Sequence, residues 1–292
     1  MSRLMQAVIK GIVRMFAPGV AADLRAEDQF SFTDASGNVP VDTPSCLDIE
    51  DNGADTTIVT FAGMAVLYAA MPKFEFKKML QSGEKPYNFI FVRDIYRSSY
   101  RMAPDGSGAG IAFYERAVSA ALNRIGARHN IAIGMSGGGE AAFRISGAAP
   151  IHHIIAFNPA FPLERYGSLR HAFGVLLDVR KLLLNPRAYA EVLFVILGAR
   201  YLWKRNRRAI GHEDPDLPLR DYLRRATPAT LYYSRNCLPD TRQALTLVNV
   251  PAITLVPVES PRHNCLADLK KQGSAATFIQ DAIQQALSGL PE

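Results

Sequence analysis

Apolar residues in this chain gather in short unbroken runs, separated by longer stretches where they recur every three or four positions. Six runs, at 57–61, 88–92, 130–134, 153–157, 230–233 and 252–257, are rich in β-branched and aromatic residues and lack polar alternation. A strand with one face in water alternates, so runs that are apolar throughout read as strands buried on both faces. The stretches 113–125, 140–147, 240–249 and 275–288 carry the helical period instead. Strand and helix alternate, which predicts an α/β fold: a mostly parallel central sheet with helices on both faces and its chemistry in the loops at the strands' carboxyl ends. Two further segments, 29–33 and 46–50, lie beside turn formers and predict an antiparallel hairpin at a sheet edge.

One connection breaks the rhythm. About seventy residues lie between the run ending at Phe157 and that starting at Thr230, where a connection usually takes about 2–6. Helical patterns at 169–184 and 186–208 mark this interval as a helical lid inserted over the sheet. Its apolar run 190–198 is shorter than the about 20 residues a membrane span needs. The expected organisation is an amphipathic helix over 1–24, a core over 25–162 and 226–292, and a lid over 163–225. The first helix sets Leu4, Val8, Ile12 and Phe16 against Arg3, Lys10 and Arg14; it reads as packing on the domain or lying on a membrane surface, and not as an export signal.

Charge sharpens the picture of the insertion. The net charge of +6 resides in residues 164–225, which hold thirteen Lys or Arg against seven Asp or Glu, while the remainder of the 292 residues balances. Such asymmetry points to an acidic partner for that one region, a phosphate-bearing substrate or an anionic lipid surface. No nucleic-acid-binding motif accompanies the charge, so nucleic acid is not expected. The three cysteines, Cys46, Cys237 and Cys265, are odd in number and far apart, which speaks against a disulfide framework or a zinc site. A cytoplasmic protein with reduced thiols is expected, with peripheral contact at the inner membrane face as the option that the basic insertion opens.

The candidate chemistry begins at Gly134-Met135-Ser136-Gly137-Gly138. Between a strand and a helix, this spacing makes a sharp turn that pushes a serine hydroxyl into the cleft, the flanking glycines letting strand and helix approach. A serine needs a base, and His263 follows the last predicted strand. An acid must orient that base, and Asp240 follows the strand before it, ahead of a helix expected from Thr241. Glu259 is the rival acid, and a helix cap is the structural alternative for Asp240. The oxyanion donors expected are the backbone amides of Gly137 and of Met64, in the loop after the strand at 57–61. No cofactor and no metal is called for.

Together, Gly134–Gly138, the Phe61–Ala65 loop, Asp240 and His263 resemble the α/β-hydrolase superfamily from about Leu47 onward. That resemblance implies a serine, acid and histidine at Ser136, Asp240 and His263. The Phe61-Ala62-Gly63-Met64-Ala65 loop departs from the His-Gly-Gly form of lipases and esterases. More narrowly, the stretch from Val92 to Tyr100 and the triplet His263-Asn264-Cys265 resemble hydrolase-like proteins of bacterial surface glycan biosynthesis and export. Arg93, Asp94, Tyr96, Arg97 and Tyr100 sit in a loop at a strand's carboxyl end, placed either to contact substrate or to anchor the loop itself. The expected activity is ester hydrolysis on a glycan, lipid or small molecule through an acyl-serine intermediate. The alternatives are acyl transfer by the same residues and a non-catalytic protein of glycan assembly.

Overall fold

Successive side chains of a strand reach opposite faces of its sheet, so an apolar run needs cover on both sides. A computed structural model, which describes residues 46–63, 74–81, 86–96, 98–159, 179–186, 189 and 227–290, supplies both covers. Its strands are β1 (Leu47–Glu50), β2 (Thr56–Phe61), β3 (Asn88–Val92), β4 (His129–Met135), β5 (His153–Phe157), β6 (Ala229–Ser234) and β7 (Ile253–Val258). Its helices are α1 (Lys77–Leu80), α2 (Gly110–Ile125), α3 (Gly137–Ile145), α4 (Val179–Leu184), α5 (Leu238–Leu245), α6 (Cys265–Lys271) and α7 (Ala275–Ser288).

The seven strands form one sheet in the order β1-β3-β2-β4-β5-β6-β7, parallel except for β1, which runs antiparallel to β3 at the edge. Val59, Phe61, Ile90, Val92, Ala132 and Ala156 meet Tyr114 and Val118 of α2 and Ala142 and Ile145 of α3 on one face. On the other, Ile58, Phe89, Phe91, Ile131, Ile133 and Phe157 meet Leu80 of α1, Leu266 of α6 and Ile279 and Ile283 of α7. Strands β2 to β6 are buried nearly throughout, as their unbroken apolar runs require. The run of β7, expected to be buried on both faces, lies at the sheet edge and is only partly covered.

One further feature differs from the sequence expectation, and two others extend beyond the described residues. The edge segment at 46–50 is a strand, but the partner it shows is β3; its expected hairpin mate at 29–33 lies outside the described residues, as does the segment 1–24. Helix α5 starts at Leu238, so Asp240 falls within its first turn; Pro239 there suits a helix start, because its fixed φ and missing N–H cost nothing at that position. Of the insertion, residues 179–186 and 189 are described and include α4, and the rest lies outside the described residues, among which no helix is long and apolar enough to cross a membrane.

Parallel pairing in register aligns the strand ends. Phe61 pairs with Gly134, Met135 with Phe157, Phe157 with Tyr232 and Ser234 with Val258. The residues that follow β2, β4, β5, β6 and β7 therefore emerge along one rim.

Candidate active site

Ser136 is the first residue past β4 and has φ 53° and ψ −122°, a backbone conformation that a residue with a Cβ rarely adopts. The chain is held there from both sides. Its N–H donates to the Phe157 carbonyl at 2.9 Å, and its carbonyl accepts from Glu140 at 3.2 Å. A Cβ on Gly134 would lie 2.2 Å from the Gly138 carbonyl oxygen, and one on Gly138 would lie 2.1 Å from that of Phe61. Only hydrogen fits at either place, and the serine stands over the resulting tight turn. Gly137 opens α3, where the first amides lack partners within the helix and carry its positive dipole end.

His263 reaches Ser136 from the loop between β7 and α6. That loop is built on Asp268: one carboxylate oxygen accepts from the Ser260 hydroxyl at 2.7 Å, the other pairs with the Arg262 Nε at 3.4 Å, and the Arg262 N–H donates to the Ser260 hydroxyl at 3.1 Å. Asn264 caps α6 by accepting from the Ala267 N–H at 3.0 Å. The imidazole thus fixed lies with Nε2 2.8 Å from Ser136 Oγ and Nδ1 2.7 Å from Asp240 Oδ1. A carboxylate can only accept, so Nδ1 carries the hydrogen and Nε2 presents its lone pair to the serine. His263 and Asp240 are both buried. The other Asp240 oxygen, Oδ2, accepts from the Asn158 amide at 2.9 Å.

Glu259, the rival acid, and three other histidines lie elsewhere. Glu259 is exposed, pairs with Arg235 at 3.1 Å and accepts from Asn236 at 2.9 Å. His129, His152 and His153 sit at the amino ends of β4 and β5, at the opposite rim. His171 and His212 lie outside the described residues. Burial and the Asp240 charge push the Cys265 thiol up to about 12, which keeps it protonated.

Met64 lies outside the described residues, but the loop leading to it is pinned. Gly63 N–H donates to Glu75 Oε2 at 2.7 Å. Burial pushes the Glu75 carboxyl up to about 7, the Gly63 hydrogen bond opposing it. A Cβ on Gly63 would stand 3.3 Å from that oxygen and 3.8 Å from Ser136 Cβ, so Gly63 lies next to both. Sequence reasoning missed Glu75 and Asn158. No motif surrounds either: Glu75 meets Gly63 within the β2–β3 connection, and Asn158 meets Asp240 across the ends of the neighbouring strands β5 and β6.

Within the 93–101 segment, Asp94 is buried and accepts the backbone N–H groups of Tyr96, Ser98 and Tyr100 at 3.0, 2.5 and 2.8 Å. Tyr100 is buried as well and donates its hydroxyl to the Ala62 carbonyl at 2.8 Å. The Arg93 guanidinium lies over the Phe74 ring at 4.4 Å, and Tyr96 donates to the Pro104 carbonyl at 3.3 Å. These contacts build the loop and brace the turn after β2; Arg97 lies outside the described residues.

No protein-family model matches the sequence, and no curated protein matches it. Solved structures do. MenH from S. aureus superposes at a TM-score of 0.51 with 11% identity, over 84% of this chain and 100% of its own. A protein of unknown function from Staphylococcus aureus subsp. aureus Mu50 superposes at 0.54 with 15% identity, over 83% and 93%. This chain has the α/β-hydrolase fold. A glycosylation associate protein complex from Streptococcus agalactiae is also similar, at 0.44 with 17% identity, over 80% of this chain and 43% of that one. Within the fold so identified, Ser136 follows the strand at the centre of the sheet, with three strands on either side of it.

Proposed function

We propose that the protein is a serine hydrolase that cleaves an ester through an acyl-serine intermediate. The observation that carries this reading is the unbroken hydrogen-bonded line from Asp240 through His263 to Ser136, with contacts of 2.7 and 2.8 Å at the carboxyl rim of the sheet. His263 takes the Ser136 proton through Nε2 as Oγ attacks the ester carbonyl. Asp240 holds the imidazole in the required tautomer and stabilises its charged form. The amide of Gly137, at the positive end of α3, donates to the oxyanion together with that of Met64. The proton on Nε2 then passes to the departing alcohol, and water activated by the same histidine releases the acyl group.

We also propose that the basic insertion meets an anionic membrane surface. Its net charge of +6 supports this reading, as do the exposed Val179, Leu182, Leu183 and Leu184 of α4.

A fluorophosphonate probe followed by peptide mass spectrometry tests the hydrolase reading. Modification is expected on Ser136 alone, and Ser136→Ala should abolish both labelling and turnover of an activated short-chain ester. Labelling of another serine, or full turnover by the variant, would overturn it.

A further inference from the structure

The base of the site is held by an acid, and the acid in turn has a holder. Asn158, the residue after β5, donates through Nδ2 to Asp240 Oδ2 and to Ser234 Oγ, each at 2.9 Å. Asn158, Ser234 and Asp240 are 1%, 0% and 3% exposed, so water does not substitute for these bonds. The orientation of the amide follows from chemistry: facing an acceptor-only carboxylate, it must turn its nitrogen toward Asp240.

The two oxygens of Asp240 are thereby divided, Oδ1 to His263 and Oδ2 to Asn158. A carboxylate bonded at one oxygen still turns about χ2, and one bonded at both does not. The charge matters as much as the geometry. A cation at this place would neutralise Asp240, whereas a neutral amide orients the carboxylate and leaves its full negative charge for the imidazolium that forms when Ser136 attacks.

The residue type satisfies the backbone too. Asn158 has φ 43°, in the left-handed region that asparagine tolerates better than most side chains. Its N–H donates to the Tyr232 carbonyl at 2.8 Å, while the preceding Phe157 carbonyl accepts from Ser136. One strand end therefore sets both the main chain of the nucleophile and the side chain of the acid.

We propose that Asn158 is the positioning residue of this site, a neutral clamp that orients Asp240 toward His263; the proposal rests on the serine-hydrolase reading. Two variants test it beside wild type and Ser136→Ala. Asn158→Gly accepts the positive φ and removes the amide. Its kcat on an activated short-chain ester should fall about 10²-fold, the cost of a misplaced catalytic group, with KM within about twofold of wild type. Asn158→Asp keeps the shape but can donate to Asp240 only while the pair shares a proton. Its activity relative to wild type should be highest at low pH and should decline on the alkaline side, where the wild-type profile stays level. If Asn158→Gly does not fold, the Asn158→Asp profile alone decides. Wild-type kcat in Asn158→Gly, or a wild-type pH profile in Asn158→Asp, would overturn the clamp while Ser136→Ala is inactive. Turnover by Ser136→Ala would instead overturn the hydrolase reading beneath it.

Discussion

Glu75 carries a pH dependence of its own. Its carboxyl is pushed from an ordinary value of 4.5 to about 7 in the fold, so the folded state favours its neutral form. Below pH 4.5 the group is neutral in both the folded and unfolded chains. Between 4.5 and 7 only the unfolded chain ionises it, and the associated stability is lost as pH rises through that window. Glu75→Gln keeps an oxygen to accept the Gly63 N–H and removes the titration. Thermal unfolding of the two proteins should therefore give similar midpoints near pH 4.5 and a higher one for the variant at pH 8. An unchanging difference at both pH values would refute this account. The same carboxyl is invisible to motif reading because its partner, the Gly63 amide, lies twelve positions earlier in the chain.

At the scale of the element, the tight turn between β4 and α3 depends on contacts that glycine alone permits. Gly138 packs against the end of β2, and Gly134 against Gly138 itself, so a methyl group at either site must displace main chain rather than a flexible side chain. Gly138→Ala should destabilise the protein by about 1–3 kcal/mol, the usual range for overpacking. Urea unfolding measures this, and unchanged stability would mean that the β2–α3 approach is looser than described. The two glycines stand out in the sequence as part of a motif. The surface each one touches does not, because Phe61 lies more than seventy residues before Gly138.

For the whole molecule, the charge distribution leads to an expectation about association. Thirteen basic residues in 164–225 and the exposed leucines of α4 should draw the protein to anionic vesicles. The attraction should weaken with salt, as the Debye length drops from about 10 Å at 0.1 M to about 3 Å at 1 M. Neutralising Lys204, Arg205, Arg207 and Arg208 together, all outside the described residues, should reduce co-sedimentation at low salt and leave turnover of a small neutral ester intact. Co-sedimentation equal to wild type would mean that these side chains only solvate the insertion.

Sequence alone determined the class of the fold and the order of its elements, because both rest on local quantities: apolar runs that need cover on two faces, helical periods between them, and a glycine-flanked serine at a strand-to-helix turn. It also nominated Ser136, Asp240 and His263, since chain order in such a fold restricts where a base and an acid can emerge. The tertiary structure decided what depends on convergence. Register brought five strand ends to one rim, turned Glu259 outward to Arg235 and set Asp240 within the first turn of α5. It also made Asp94 the hub of its own loop and placed Asn158 against Asp240 and Glu75 against Gly63. Hydrogen bonds within irregular loops and between strand ends have no periodic trace in a sequence; they exist only once the chain has folded those loops into place.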